Sequence, residues 1–181
     1  MTQDPWTSRV PEAAGRSLVL VPHPVLVALA DGDLAAASAL SGLPLTAYLV
    51  GEECRGTWRR RRDQVADQPA DAPWVTRLVV DAGVVVGRAG FHGRPDAGGT
   101  VEVGYATDPA HRRRGHARAA LLVLLEVAAA MPGVGAVRAS VRPDNVASRA
   151  LLDAHGFVHV GEQWDEEDGR ELVLERPARA V

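Results

Sequence analysis

Between Val101 and Met131 the chain changes its hydrophobic period once, and the change falls on a proline and a run of arginines. Val101, Val103 and Tyr105 alternate with Glu102 and Gly104 as a strand does, and Pro109 ends the alternation. From Gly115 the apolar residues return at helical spacing, with Ala117, Ala120, Leu121, Leu124 and Ala128 on one face. A strand that crosses a basic turn and enters a long helix presents the first amides of that helix, which have no carbonyl partner, to whatever lies in the turn. With the helix dipole behind them, those amides favour a bound diphosphate. Arg112, Arg113 and Arg114 bring positive charge to the same place, and Gly115 removes the Cβ that would hold a bulky ligand off the backbone.

Other phosphate-binding loops do not fit these residues. A Walker A loop needs Gly-Lys before Ser or Thr, and the sequence has no lysine, so all 20 basic residues are arginine. A Rossmann fingerprint needs three glycines and an acid about twenty residues on. Here Gly115 stands alone, and Ala136 to Ser140 supplies no acid. The lack of lysine also excludes a side-chain Schiff base.

The rest of the chain reads as one domain over 17–177, preceded by a flexible segment, 1–16. With 181 residues, 46% of them hydrophobic, there is enough material for a core. Ser17 to Val21 reads as a strand, and Pro24 to Ala30 and Asp33 to Leu40 as helices punctuated by Gly32, Gly42 and Pro44. A helix is expected from near Thr57. Trp74 to Val80 and Val84 to Phe91 form a hairpin over Asp81-Ala82-Gly83, followed by the strand Thr100 to Thr107 and the helix Gly115 to Ala130. Val134 to Val141 is a strand, Asn145 to Ala154 a helix, and Val158 to Trp164 pairs with Arg170 to Leu174. This order gives an α+β fold with a mixed central sheet.

Two segments carry a family resemblance. Arg112-x-x-Gly115-x-Ala117 after a short strand resembles the acyl-coenzyme A signature of the GNAT N-acetyltransferases, and Pro143 to Leu151 followed by Gly156-Phe157 resembles that superfamily's second segment. Glu102-Val-Gly-Tyr105 is most similar to the branch that includes ribosomal-protein-alanine acetyltransferases. The resemblance covers roughly 101 to 160. It implies a mostly antiparallel central sheet with helices on both faces, in which the strand before the cradle and the strand after the long helix are parallel and splay apart to admit pantetheine.

By the same resemblance, the backbone of Tyr105, Ala106 and Thr107 pairs with pantetheine. The amides and side chains of Arg112, Arg113, Arg114, Gly115, His116 and Ala117, with Arg118, hold the diphosphate of acetyl-coenzyme A, and Asn145 contacts the cofactor or a water. Acetyl transfer needs a neutral amine, and Glu102, on the face opposite Val101 and Val103, is the carboxylate expected to take the proton. Many relatives carry a tyrosine seven residues after the asparagine to protonate the leaving thiolate; here that position is Leu152. Asn145 and Ser148 also suit a helix start, the Asn as cap and the Ser in the first turn. A coenzyme-binding module that has lost its chemistry therefore stays open beside the enzyme.

The acceptor is an amine, on a small molecule or a protein N-terminus. Glu52, Glu53, Trp58, Trp74, Phe91, His92, Trp164 and the acidic run Asp165 to Asp168 are candidates to contact it, the tryptophans serving equally as core. Arg59 to Arg62 reads as a charged helix face offset by Asp63 and Asp67 rather than a nucleic-acid contact, in keeping with a net charge of −3. The histidines have no metal-like spacing, and no metal is expected. The lone Cys54 suits a reducing cytoplasm, and no apolar run is long enough to span a membrane. Oligomeric state stays open, a homodimer among the options.

Overall fold

A computed structural model describes residues 4–166 and 169–179. The chain divides into two compact units, Met1–Gly90 with Tyr105–Val123, and Phe91–Gly104 with Leu124–Val181. Seven strands form a mixed sheet in the order β1-β2-β3-β4-β5-β7-β6. Strands β4 and β5 are parallel neighbours in it.

In the first unit, β1 (Arg16–Val19) pairs antiparallel with β2 (Arg77–Asp81), and β2 with β3 (Val84–Phe91). The β2–β3 turn places Ala82 at φ 48° and Gly83 at φ 81°, the left-handed pair that suits the twist of a two-residue hairpin. Helices α1 (His23–Asp31) and α2 (Leu34–Ser41) end at Gly32 and Gly42, both left-handed. Between them the Asp33 carboxylate accepts the Ala36 N–H at 2.9 Å and caps α2.

Helix α3 (Glu52–Asp67) begins several residues ahead of the expected Thr57. Its first turn is polar, so no apolar period marks it. Glu52 and Glu53 are nevertheless suited to a helix N-terminus, where negative charge meets the positive dipole end. Cys54, Trp58 and Val65 are buried on its inner face, and the Trp58 indole donates to Leu49 O at 2.7 Å.

Residues expected as a flexible lead-in contain Trp6, which is buried and exchanges backbone hydrogen bonds with Leu18 at 3.0 and 2.8 Å. The Arg77 guanidinium lies 3.6 Å over its ring. Arg77 is fully buried, donates to the carbonyls of Leu18 and Pro73, and has its pKa pushed down to about 10 by that burial. Composition alone could not reveal this, since the partner of Trp6 lies some seventy residues on.

The second unit contains β5 (Ala136–Val141), α5 (Val146–Asp153), β6 (Val158–Asp165) and β7 (Gly169–Pro177). Strand β7 pairs antiparallel with both β5 and β6. Three elements contribute residues to both units: β3, whose last residue Phe91 belongs to the second, β4 (Thr100–Thr107) and α4 (His116–Ala130). On α4 the expected face is too narrow, because Ala119, Val123 and Leu125 are buried as well. Pairing of β4 with β5 covers Thr100 to Glu102 against Ala136 to Arg138 and stops there, although both strands continue.

Within the first unit the end of β4 lies against a glycine of β3. A Cβ at Gly87 would stand 2.2 Å from Ala106 O and 3.0 Å from Thr107 Cα, both backbone atoms that cannot step aside. Gly87→Ala is therefore expected to cost about 2 kcal/mol or more by overpacking. Gly135→Ala, whose Cβ would meet nothing within 4 Å, is the control and should stay within about 0.5 kcal/mol of the parent. Urea unfolding of the two variants measures the difference.

Candidate functional site

The turn after β4 is fixed by a buried carboxylate. Asp108 accepts the Ala110 N–H at 2.9 Å through one oxygen and the Thr46 hydroxyl at 2.6 Å through the other. Pro109–His111 makes one 3-10 turn, then Arg113 at φ 64° and Gly115 at φ 81° bend the chain into α4. A left-handed arginine is uncommon and strained, which marks the turn as over-determined by its surroundings. Gly115 O accepts the Ala119 N–H at 2.9 Å, so Gly115 caps α4 and the amides of His116, Ala117 and Arg118 are the donors without helical partners. The missing Cβ of Gly115 faces space with no atom within 4 Å. Arg113, Arg114 and Arg118 are exposed around this turn.

Two of the expected cradle side chains are otherwise engaged. Arg112 donates through Nε to Thr107 O at 3.2 Å and reaches Glu53 at 4.0 Å. This also occupies one of the backbone acceptors expected along Tyr105 to Thr107. His116 turns inward: it is 5% exposed, its Nδ1 stands 3.9 Å from Asp81 without a hydrogen bond, and its ring meets His111 edge-on. Burial pushes its pKa below the usual value despite Asp81, and Arg16 adds to the downward shift. The His116 imidazole, expected at the cradle, is therefore not presented at the surface of the turn. A helical face cannot be assigned to the first residue of a helix from periodicity, because the turn before it sets the direction.

Glu102 sits in the second unit, where β4 last pairs with β5. Its neighbours Val101 and Val103 are buried, while Glu102 is half-buried on the other face. Oε1 accepts the Ser140 hydroxyl at 2.7 Å and lies 3.6 Å from His92 Nδ1. The His92 ring occupies the place a side chain on residue 104 would take, since a Cβ on Gly104 would be 2.8 Å from its Nε2. Thus the glycine of Glu102-Val-Gly-Tyr105 makes room for His92 beside Glu102. Arg138, opposite Glu102 in register, is committed to Glu175 at 2.8 and 2.6 Å. Sequence reading missed Ser140. The alternation of Val137, Ala139 and Val141 with Arg138 and Ser140 was the available signal, but it says nothing about which strand lies alongside.

Asn145 caps α5, its side-chain oxygen accepting the Ser148 N–H at 3.1 Å. Leu152 is a core side chain. Of the proposed acceptor contacts, Trp58 and Phe91 are buried, Trp74 is half-buried, and Glu52, Glu53 and Trp164 are exposed. Asp165 and Glu166 end β6, and Glu167 and Asp168 lie outside the described residues. The thiol of Cys54 is buried and accepts from Arg88 Nε at 3.4 Å. The arginine run on α3 does not form one outward patch. Arg61 turns in to Thr76 and Gln64, and Arg62 pairs with Asp63 at 2.8 Å and Asp31 at 3.6 Å. Among the described residues, no group of three or more His, Cys, Asp or Glu is placed to hold a metal, and no helix is long and apolar enough to cross a membrane.

The profile of the acetyltransferase (GNAT) domain family matches residues 25–158. The uncharacterized N-acetyltransferase YjdG of Bacillus subtilis (strain 168) is 36% identical over 74 residues, spanning 41% of this chain and 44% of that protein. Less than half of that relative is therefore matched. The structure of RimL, a ribosomal L7/L12 alpha-N-protein acetyltransferase in complex with coenzyme A, gives a TM-score of 0.64 at 17% identity, over 93% of this chain and 97% of that one. Mutant forms of the spermidine/spermine N-acetyltransferase SpeG from Vibrio cholerae also give 0.64, at 13% identity, over 91% of this chain and 95% of theirs. At such identities the likeness to the two structures is one of fold.

His116 yields a pH prediction. Its folded pKa lies below the ordinary value of 6.5, so just below that pH the unfolded chain binds more protons than the folded one. Stability should rise with pH through this window, being fully present above about 6.5 and lost as pH falls toward the depressed folded value. In His116→Gln that part of the slope should vanish, as read from urea midpoints between about pH 5 and 7.5.

Proposed function

This chain belongs to the GNAT acetyltransferase family, and on that premise we propose that it transfers an acetyl group from acetyl-coenzyme A to a primary amine, by direct attack of the amine on the thioester. The observation that carries the reading is the left-handed Gly115 at the start of α4, its absent Cβ leaving open space beside three unpartnered amides. A diphosphate fits such a place, because the amides donate to it and the dipole of α4 favours its charge.

The amides of His116, Ala117 and Arg118 and the guanidinium groups of Arg113, Arg114 and Arg118 hold the phosphates. Gly115 admits them to the backbone, and the β4 backbone at Tyr105 and Ala106 receives the pantetheine amides. Asn145, its oxygen used as a cap, keeps a side-chain NH2 for the cofactor or a water. The bound thioester supplies the acetyl group as its acyl donor. Glu102 removes the proton that an amine carries near neutral pH, directly or through water. Leu152 leaves the thiolate to take its proton from solvent, tolerable for a thiol leaving group.

The acceptor class remains broad in this reading: a protein N-terminus, as the name of RimL indicates for that enzyme, or a small amine, as that of SpeG does. The buried Cys54 thiol suits a reducing cytoplasm as the site of action.

Two measurements test the assignment. Gly115→Val should weaken coenzyme A binding far more than Arg113→Ala, since it fills the backbone approach and strains a left-handed position; equal affinities by calorimetry would remove the cradle from its role. Glu102→Gln should slow acetylation at neutral pH by roughly a hundredfold or more with near-normal coenzyme affinity, and recover at high pH where the amine is already neutral. Thiol release with a panel of amines gives both rates. Tight coenzyme binding without thiol release from any amine would identify a silent binding module instead.

A further inference from the structure

A chain of hydrogen bonds crosses four strands of the second unit and ends on Glu102. The Gln163 side-chain nitrogen on β6 lies 2.9 Å from Glu171 Oε2 on β7 and 3.0 Å from Ser140 Oγ on β5. Ser140 Oγ lies 2.7 Å from Glu102 Oε1 on β4. The polarity of each link follows from the chemistry of its ends. A carboxylate only accepts, so Glu171 requires the NH2 group of Gln163, and not its oxygen, to face it. Both hydrogens of that NH2 are then used, one on Glu171 and one on Ser140. The Ser140 hydroxyl has a single hydrogen, and since its oxygen already accepts from Gln163, that hydrogen goes to Glu102.

We propose that Ser140 and Gln163 are positioning residues for Glu102 in acetyl transfer. This rests on the reading of Glu102 as the base. A glutamate has three side-chain torsions, and a half-buried one is not held by packing alone. The Ser140 hydroxyl engages Oε1, so the carboxylate keeps one orientation and the other oxygen remains for the amine or its bridging water. Gln163 acts at one remove: without its amide the Ser140 hydroxyl can rotate away. Arg138, the cation nearest in register, is committed to Glu175 and does not replace Ser140. Glu171 is buried and anchors the far end.

The test uses the full-length protein and acetyl-coenzyme A with the best amine found in a panel. Ser140→Ala should lower kcat by about tenfold, with KM for the amine and coenzyme A affinity within about twofold of the parent. Ser140→Thr keeps the hydroxyl and should restore most of the rate. Gln163→Met should give a smaller loss, about threefold, in kcat alone. On a Glu102→Gln background, Ser140→Ala should cost nothing further, because a positioning role vanishes with the group positioned, whereas a structural role would add in full. Three-bond couplings of the Glu102 side chain, measured by NMR, provide a readout that needs no turnover: one rotamer in the parent and Ser140→Thr, averaging in Ser140→Ala. Unchanged kcat in Ser140→Ala, full additivity with Glu102→Gln, or unaltered couplings would each overturn the proposal. A parent that releases no thiol with any amine would instead overturn the acetyl-transfer reading, and the couplings would still decide whether Ser140 orients Glu102.

Discussion

Strand β4 is tied to β5 over Thr100 to Glu102 and then continues to Thr107 without it. Backbone groups beyond that point need other partners, because an unsatisfied buried amide or carbonyl costs about 1–3 kcal/mol. On the β3 side, the bare Gly87 lets the backbone of Ala106 and Thr107 come within van der Waals reach. Asp108 N–H then bonds Val86 O at 3.0 Å, and the Asp108 carboxylate closes the following turn on Ala110 and Thr46. From this turn the chain passes through the left-handed Arg113 and Gly115 into α4.

Charge is also arranged unevenly around this turn. A chain of net charge −3 still presents arginines around the α4 start, because many of its other arginines are neutralised locally. Arg62 pairs with Asp63, Arg138 with Glu175, and Arg170 with Glu162, the last through two charge-assisted bonds. Exposed pairs of this kind add little stability. Their effect is to offset positive charge locally. Beside this turn Asp108 faces hydroxyl and amide donors, and Asp81 sits beside the buried His116, so neither carboxylate lies among the exposed arginines of the turn.

What the sequence determined by itself is the part governed by neighbours along the chain. Alternation, caps and turn residues placed β3, β4, α2 and the Ala82-Gly83 hairpin, because those depend on a few consecutive torsions and hydrogen bonds. The turn into α4 was legible for the same reason: proline, arginines, glycine and helix start lie within one short stretch, and the left-handed Gly115 is a local requirement. Tertiary structure alone decided the rest. It buried the His116 ring against Asp81 and stacked Arg77 on Trp6, each with a partner at least 35 residues away. It also gave Glu102 a hydroxyl from β5 and seated His92 on Gly104. Strand order settles these contacts, and strand order comes from long-range pairing that no periodicity records.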